Sequence, residues 1–471
     1  MSRGQWRADA AHIGALAGPL VLTQLAQVAL GTTSVVMLGR MGALELAAGG
    51  LALTLFNLLR TMGVGLVTPT GNLIAAATQD GSAATEQIRD LSRASFAVST
   101  IAGLLAWAVM TMAGPLLLLL GQESAVVERC ARYLAVAAPA IIPMLWFQSL
   151  RNITVGLRKP GPLLAVTLGS VAVNIALNLV LIDGGWGIPP LGLVGVALSS
   201  TLVNAASFAA FFALARRDDS VAPVLSLRFW GAPRETLWRT LRLGLPVAAT
   251  YGSEAGFFSV LALLAGTLGA TALAAHTVVN QAVYVVFMVA VGISHAVSIS
   301  ISPAWARNDL ATTRRLGWTG LGIGWIAMAG VATFYLAVPQ LVLRAFVRDS
   351  ASTAALLTVA LPLLWLAALL QFFDASQNIA MGLLRGVGDT SSAFVRTLFG
   401  YWGIGLCAAW LLGLHWGLGI TGLWLGLIAG LAATAIQLLL RFHRVTSVSS
   451  RREAVGIASL EKGSIAWKTG E

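Results

Sequence analysis

Apolar stretches of about 20 residues or more recur along almost the whole chain, each long enough at 1.5 Å per residue to cross roughly 30 Å of hydrocarbon. Twelve can be drawn, with approximate cores at 12–38, 46–77, 94–121, 131–155, 162–184, 191–215, 240–266, 272–303, 316–340, 355–383, 391–413 and 420–441. Lipid offers no partner for backbone N–H and C=O groups, so segments of this length must satisfy them internally, as helices. The fold class that follows is all-α, a polytopic membrane protein with twelve transmembrane helices. Composition agrees: 57% of residues are hydrophobic and 10% charged, against about 25% charged in soluble domains. That excludes a soluble enzyme and a disordered chain. The two cysteines, Cys130 and Cys407, are too few for a disulfide framework or a metal cluster. The first apolar run continues past Gly31 without a small-residue cleavage site, so it reads as a span and not a cleavable signal peptide.

A net charge of +11 could suggest nucleic acid, but the positions of the charges argue otherwise. Threaded through twelve spans, 24 of the 30 basic residues fall on the side of the N-terminus. Five fall opposite, and Arg60 lies within the second span. Basic residues gather on the cytoplasmic side of membrane proteins. Both termini are therefore expected there, and the partner of the positive charge is the anionic bilayer surface, with no nucleic acid needed.

The sequence is also written twice. Shifted by 227 residues, Gly39–Ala48 superposes on Gly266–Ala275, Pro19 on Pro246, Arg158 on Arg385, Gly161 on Gly388, Gly192 on Gly419 and Gly195 on Gly422; Asn152 meets Asn378 at 226. Six spans per repeat give both halves the same orientation, related by a pseudo-two-fold axis along the membrane normal with a central site between them. The expected organisation is an N-lobe at 1–215 (the first six spans), a cytoplasmic linker at 216–239, a C-lobe at 240–441 (the last six) and a cytoplasmic tail at 442–471. Such a repeat points to alternating access by rocking of two bundles, with a monomer as the expected state.

Of the 19 acidic residues only two fall well inside the bilayer, Glu254 in the seventh span and Asp374 in the tenth. A carboxylate at that depth costs roughly 2.5–3.5 kcal/mol and is usually functional. Loss of water favours a carboxyl's neutral form, which suits it to exchanging a proton, a sodium ion or an organic cation. Gln371, Asp374, Asn378 and Arg385 follow steps of 3, 4 and 7 and share one helix face, which must avoid lipid. His276, Asn280, Tyr284 and Met288 form a second stripe on the eighth span. Through the repeat, Glu254 corresponds to Gln27 and Asp374 to Gln148, so the first half has amides where the second has acids. Arg60, a lone cation in its span, suits a structural role in which it snorkels or pairs with a carbonyl.

The six-plus-six repeat, Gly244-Leu-Pro-Val247 ahead of Glu254, and Gln371-Phe-Phe-Asp374-Ala-Ser-Gln-Asn378 followed by Gly382-Leu-Leu-Arg-Gly-Val-Gly-Asp389 resemble the NorM-type branch of the bacterial MATE family, over about residues 10–442. Asn174 and Asn178 match polar N-lobe positions of that branch. The resemblance implies a V-shaped pair of six-helix lobes in the bacterial inner membrane. It further implies efflux of amphipathic organic cations against inward H+ or Na+, the acids matching Glu254 and Asp374 as the ion-binding pair, and no cofactor. The expected cavity residues are Gln27, Ser34, Gln148, Asn174, Asn178, Asn280, Tyr284, Gln371 and Asn378. Two departures matter. Ser34 stands where many members carry a first-span aspartate, and Leu370 stands where sodium-coupled relatives carry a tyrosine. The first argues against coupling through an N-lobe acid; the second tilts the coupling toward protons at Glu254 and Asp374, with Na+ the alternative.

Three rivals compete. A lipid or lipid-linked oligosaccharide flippase of the same superfamily would need several basic residues in the cavity, and the spans are read as holding one. An intramembrane aspartyl protease is suggested by Gly386-Val-Gly-Asp389, but lacks a second aspartate on a facing helix. A major-facilitator transporter would carry a basic signature that Thr78–Thr85 lacks.

Overall fold

A computed structural model describes residues 3–41, 43–79, 84–119, 123–184, 189–346 and 353–447. The tail beyond 447, Arg348 and residues 80–83 of the Thr78–Thr85 segment lie outside the described residues. Twelve membrane-spanning helices follow in order: α1 (Gly4–Ser34), α2 (Ala47–Ala77), α3 (Ala84–Thr111), α4 (Ser124–Gly156), α5 (Leu163–Ile182), α6 (Gly192–Ala215), α7 (Arg234–Thr267), α8 (Ala270–Ala306), α9 (Leu310–Ala337), α10 (Leu356–Gly386), α11 (Thr390–His415) and α12 (Gly419–Val445). No strand occurs among the described residues.

Several helices begin before their apolar runs. α3 starts at residue 84 instead of 94, and α7 at 234 instead of 240. Hydropathy marks only the part that meets lipid, whereas i→i−4 bonding continues through flanking residues such as Arg89 and Arg93, whose side chains meet Pro223 O and Asp90 beyond it. α2 is interrupted at Thr68, one residue before Pro69, because proline has no N–H to donate and its ring crowds the preceding turn.

The 227-residue offset reappears as repeated contacts. Pro19 and Pro246 both lie inside helices, and the carbonyl of each accepts a bond from a hydroxyl four residues on, Thr23 Oγ1 at 2.7 Å and Thr250 Oγ1 at 2.8 Å. Asn152 Nδ2 donates to Val67 O at 3.0 Å; in the second half Ser294 Oγ donates to Asn378 O at 2.6 Å, the same two positions with the donor exchanged. Gly65 of α2 backs onto Ala248 of α7, and Gly292 of α8 onto Val21 of α1. These last contacts join the two halves, each being the other's image under the repeat.

Packing explains the shape. One buried core, including Ile13, Leu73, Leu150, Ile293, Leu383 and Leu438, draws on both halves at the face carrying the termini. Toward the other face it gives way to separate cores: one in the first half around Met110, Tyr133 and Leu145, another in the second around Phe257, Leu363 and Trp424. The halves are fused at one end and part at the other. Polar contacts reinforce the closed end: Asn72 Nδ2 donates to Ser298 and Ser302 hydroxyls at 2.7 and 3.0 Å, Arg307 to Gln79 Oε1 at 2.7 Å, and Arg315 pairs with Asp9 at 2.5 Å.

Candidate transport cavity

Where the lobes part lies a cavity of about 320 Å³, walled by α1, α2, α4, α7, α8 and α10. It gathers Gln27, Gln148, Glu254, Asn280, Tyr284, Asp374 and Asn378. Glu254 is 8% exposed and Asp374 2%, so a ligand cation there would meet carboxylates with little competing water. Glu254 Oε1 accepts from the Tyr401 hydroxyl at 3.2 Å, and the Tyr401 ring stacks on Phe257 with centroids 4.9 Å apart at 13°. Asp374 Oδ1 accepts from Asn378 Nδ2 at 3.1 Å, one turn along the same face. The remaining wall is largely apolar and aromatic, including Phe258, Met288 and a Tyr284–Phe287 stack at 6.2 Å. Such a surface suits flat, hydrophobic ligands, whose rings it can stack on.

Four residues expected in the cavity lie off it. Ser34 is buried within α1, its hydroxyl donating to Leu30 O at 3.4 Å. Asn174 and Asn178 face α6: Asn178 Nδ2 donates to Asn174 Oδ1 at 3.1 Å, and Asn174 Nδ2 to Ser199 Oγ at 3.3 Å. Gln371 ties α10 to α8 through Val283 O at 3.3 Å. Asn174 and Gln371 find partners on neighbouring helices, whereas Ser34 and Asn178 bond within their own, and spacing along one helix does not show which neighbour covers a given turn. His276 likewise sits against Trp424, with ring centroids 5.8 Å apart, away from the cavity.

Basic residues require a correction. Arg151, counted above with the cytoplasmic loops, lies inside α4, is 2% exposed and lines the cavity; Arg60 and His295 line it too. Arg60 Nε donates to Asn57 Oδ1 at 3.2 Å, so its partner is a side-chain amide on its own helix. The cavity thus opposes an acidic C-lobe wall to a basic element. Arg151 was legible, since it falls within the fourth apolar run, three residues from Gln148. Tyr251, three residues before Glu254, was legible in the same way. Nothing local marks Tyr401, which reaches Glu254 from another helix.

With the fold and cavity in place, comparison with known proteins is informative. The MatE family model matches residues 19–180 and 246–411, two blocks whose starts are again 227 residues apart. The chain belongs to the MatE family. Among curated relatives, "probable multidrug resistance protein NorM" of Pseudomonas aeruginosa is 37% identical over 92% of this chain and 88% of its own length. The protein of that name from Pseudomonas syringae pv. tomato is 34% identical over 94% and 96%. A multidrug resistance MATE family transporter of the MOP superfamily, solved in an outward-facing conformation, superposes with a TM-score of 0.83 at 20% identity, covering 93% of this chain and 96% of that one. Membership makes the chain a multi-pass membrane transporter and not an enzyme, which disposes of the protease and major-facilitator readings.

Proposed function

We propose that this protein is a secondary-active multidrug efflux antiporter of the bacterial inner membrane, with both termini cytoplasmic. It exports amphipathic organic cations by alternating access in exchange for protons, sodium being the alternative ion. The observation that carries the reading is the pair of buried carboxylates, Glu254 and Asp374, on the wall of one cavity that also presents Phe258, Tyr284 and Phe287. Two acids within one low-dielectric space attract a drug cation and the coupling ion alike, so the ligands compete and binding of one lowers affinity for the other by the same factor in both directions. Relatives named as multidrug resistance proteins support the cargo class, and the fused and parted ends of the bundle support access from one face at a time. With Arg151 placed in the cavity, the remaining 23-to-5 basic asymmetry supports the orientation.

The test is dye efflux in everted vesicles under an imposed proton gradient and then a sodium gradient. Glu254→Gln and Asp374→Asn should each abolish coupled efflux while leaving the protein inserted, because an amide keeps shape and hydrogen bonding but exchanges no proton. Wild-type rates in both variants would refute the reading. Arg151 and Arg60 on the cavity favour one second reading, a flippase for anionic lipids. Inhibition of dye efflux by organic anions but not by tetraphenylphosphonium would select it.

A further inference from the structure

On the face that carries both termini, a second cavity of about 520 Å³ opens between the lobes. Asn72 of α2, Arg239 and Arg242 at the start of α7, Trp305 of α8 and the turn Gly386–Ser391 between α10 and α11 bound it. Its walls are basic. Arg239, Arg242 and Arg385 oppose a single acid, Asp389, which already pairs with Arg441 at 2.6 Å.

Two independent features suit this crevice to an anion. Arg385 is 5% exposed; its Nε and Nη1 reach Ser298 Oγ at 3.3 Å and the Tyr251 hydroxyl at 3.5 Å, but Nη2 is buried without a hydrogen-bond partner. A buried guanidinium with an unmet donor and no carboxylate is costly unless a counter-charge arrives. The second feature is the start of α11. Asp389 occupies the N-cap position yet makes no side-chain cap, its carboxylate being drawn to Arg441, and the buried Thr390 Oγ1 also lacks a partner. The first-turn N–H groups therefore keep the partial positive charge that binds anions at helix N-termini. Gly388, at φ 79°, allows the tight turn that brings this helix start beside Arg385. The Gly386-Val-Gly-Asp389 motif thus shapes this turn instead of serving a protease.

We propose that this crevice binds a phosphate-bearing anion, supplied either by the headgroup of an anionic phospholipid or as free phosphate. A tetrahedral oxyanion offers enough acceptors to meet Arg385 Nη2, the helix start and the two exposed guanidinium groups at once. The groups that hold the anion all belong to the second half, so it braces the start of α7 against the α10–α11 turn, beside the contact of Asn72 with Ser298 and Ser302 that joins the halves. The inference rests on the crevice alone and does not depend on the efflux reading.

Thermal unfolding of the full-length protein tests it in two arms. One compares inorganic phosphate with chloride at equal ionic strength in neutral detergent. The other compares nanodiscs of phosphatidylcholine with nanodiscs of phosphatidylcholine and phosphatidylglycerol. A saturable rise in Tm is expected in at least one arm. Response to phosphate identifies the free ion, and response to phosphatidylglycerol alone identifies the headgroup. Arg239→Gln/Arg242→Gln should weaken the apparent affinity about 25-fold, since each arginine near an anionic surface contributes about fivefold. Arg234→Gln, on the same helix but outside the crevice, should bind as the wild type. No shift in either arm, wild-type affinity in the double variant, or equal weakening by Arg234→Gln would overturn the proposal.

Discussion

Closure at the terminus-bearing face depends on glycines, and adding a single methyl group there should measurably bias the lobes. A Cβ on Gly244 would stand 2.0 Å from Leu66 O, and one on Gly65 or Gly292 would stand 2.8 Å from the Cα of Ala248 or Val21. Ordinary contact begins at 3.4 Å, so the helices must separate by about 1.4 Å at Gly244 and about 0.6 Å at the other two sites. At each site the obstructions include backbone, which cannot rotate away, although Val21 Cγ2 is nearer still to Gly292. Overpacking of this kind costs about 1–3 kcal/mol, and the parted arrangement pays none of it, so the closed population should fall about 5- to 150-fold relative to the parted one. Gly244→Ala should act most strongly. In an open helix position the same change gains up to about 1 kcal/mol in helix propensity; Gly50, with nothing within 4 Å, supplies that control. Spin-label distances between the starts of α1 and α7 should lengthen in Gly244→Ala and stay unchanged in Gly50→Ala. Identical distance distributions and efflux rates in both variants would refute the claim that these contacts hold the lobes closed.

Tyr401→Phe keeps the ring stacked on Phe257 but removes the donor to Glu254 Oε1. Coupled efflux should fall about tenfold at equal membrane insertion, as expected for a lost hydrogen bond to a chargeable group, whereas an unchanged rate would mean the hydroxyl does not hold the carboxylate in its working geometry. Gln27→Ala and Ser34→Ala should be milder than either acid variant, since neither side chain titrates; loss of coupling in Ser34→Ala would place a working group in the first lobe. At the loop before α9, Asp309 Oδ1 accepts from Thr312 N at 2.9 Å, and that bond holds its carboxyl below the usual carboxylate range. Asp309→Ala should cost about 1 kcal/mol as a lost N-cap. Because the folded-state value is depressed, the contribution is present at neutral pH and lost as pH falls through that value, so wild type and variant should converge in Tm in acid. A constant difference at all pH would exclude the cap as its source.

Much of the architecture was legible because the bilayer is an unforgiving solvent. Twelve apolar runs must be twelve helices, the duplicated prolines and glycines announce two related bundles, and a carboxyl such as Glu254 or Asp374 stands out against an apolar background. The chain's own periodicity could also place Asp374 and Asn378 on one face, because residues four apart on a helix point the same way.

The tertiary structure alone decided which neighbour each polar group meets. Asn174, Asn178 and Gln371 carry the same signal as Gln148 or Asn280, yet pack against adjoining helices, while the others reach the cavity. Arg151 falls within an apolar run, but only the packing of α4 turns it to the cavity, and Tyr401 becomes a partner of Glu254 only when α11 packs beside α7. Helical spacing records direction about a single axis, whereas a site is a convergence of several axes. How those axes cross depends on the shape of the buried surfaces, and above all on the glycines that let backbones touch between the lobes.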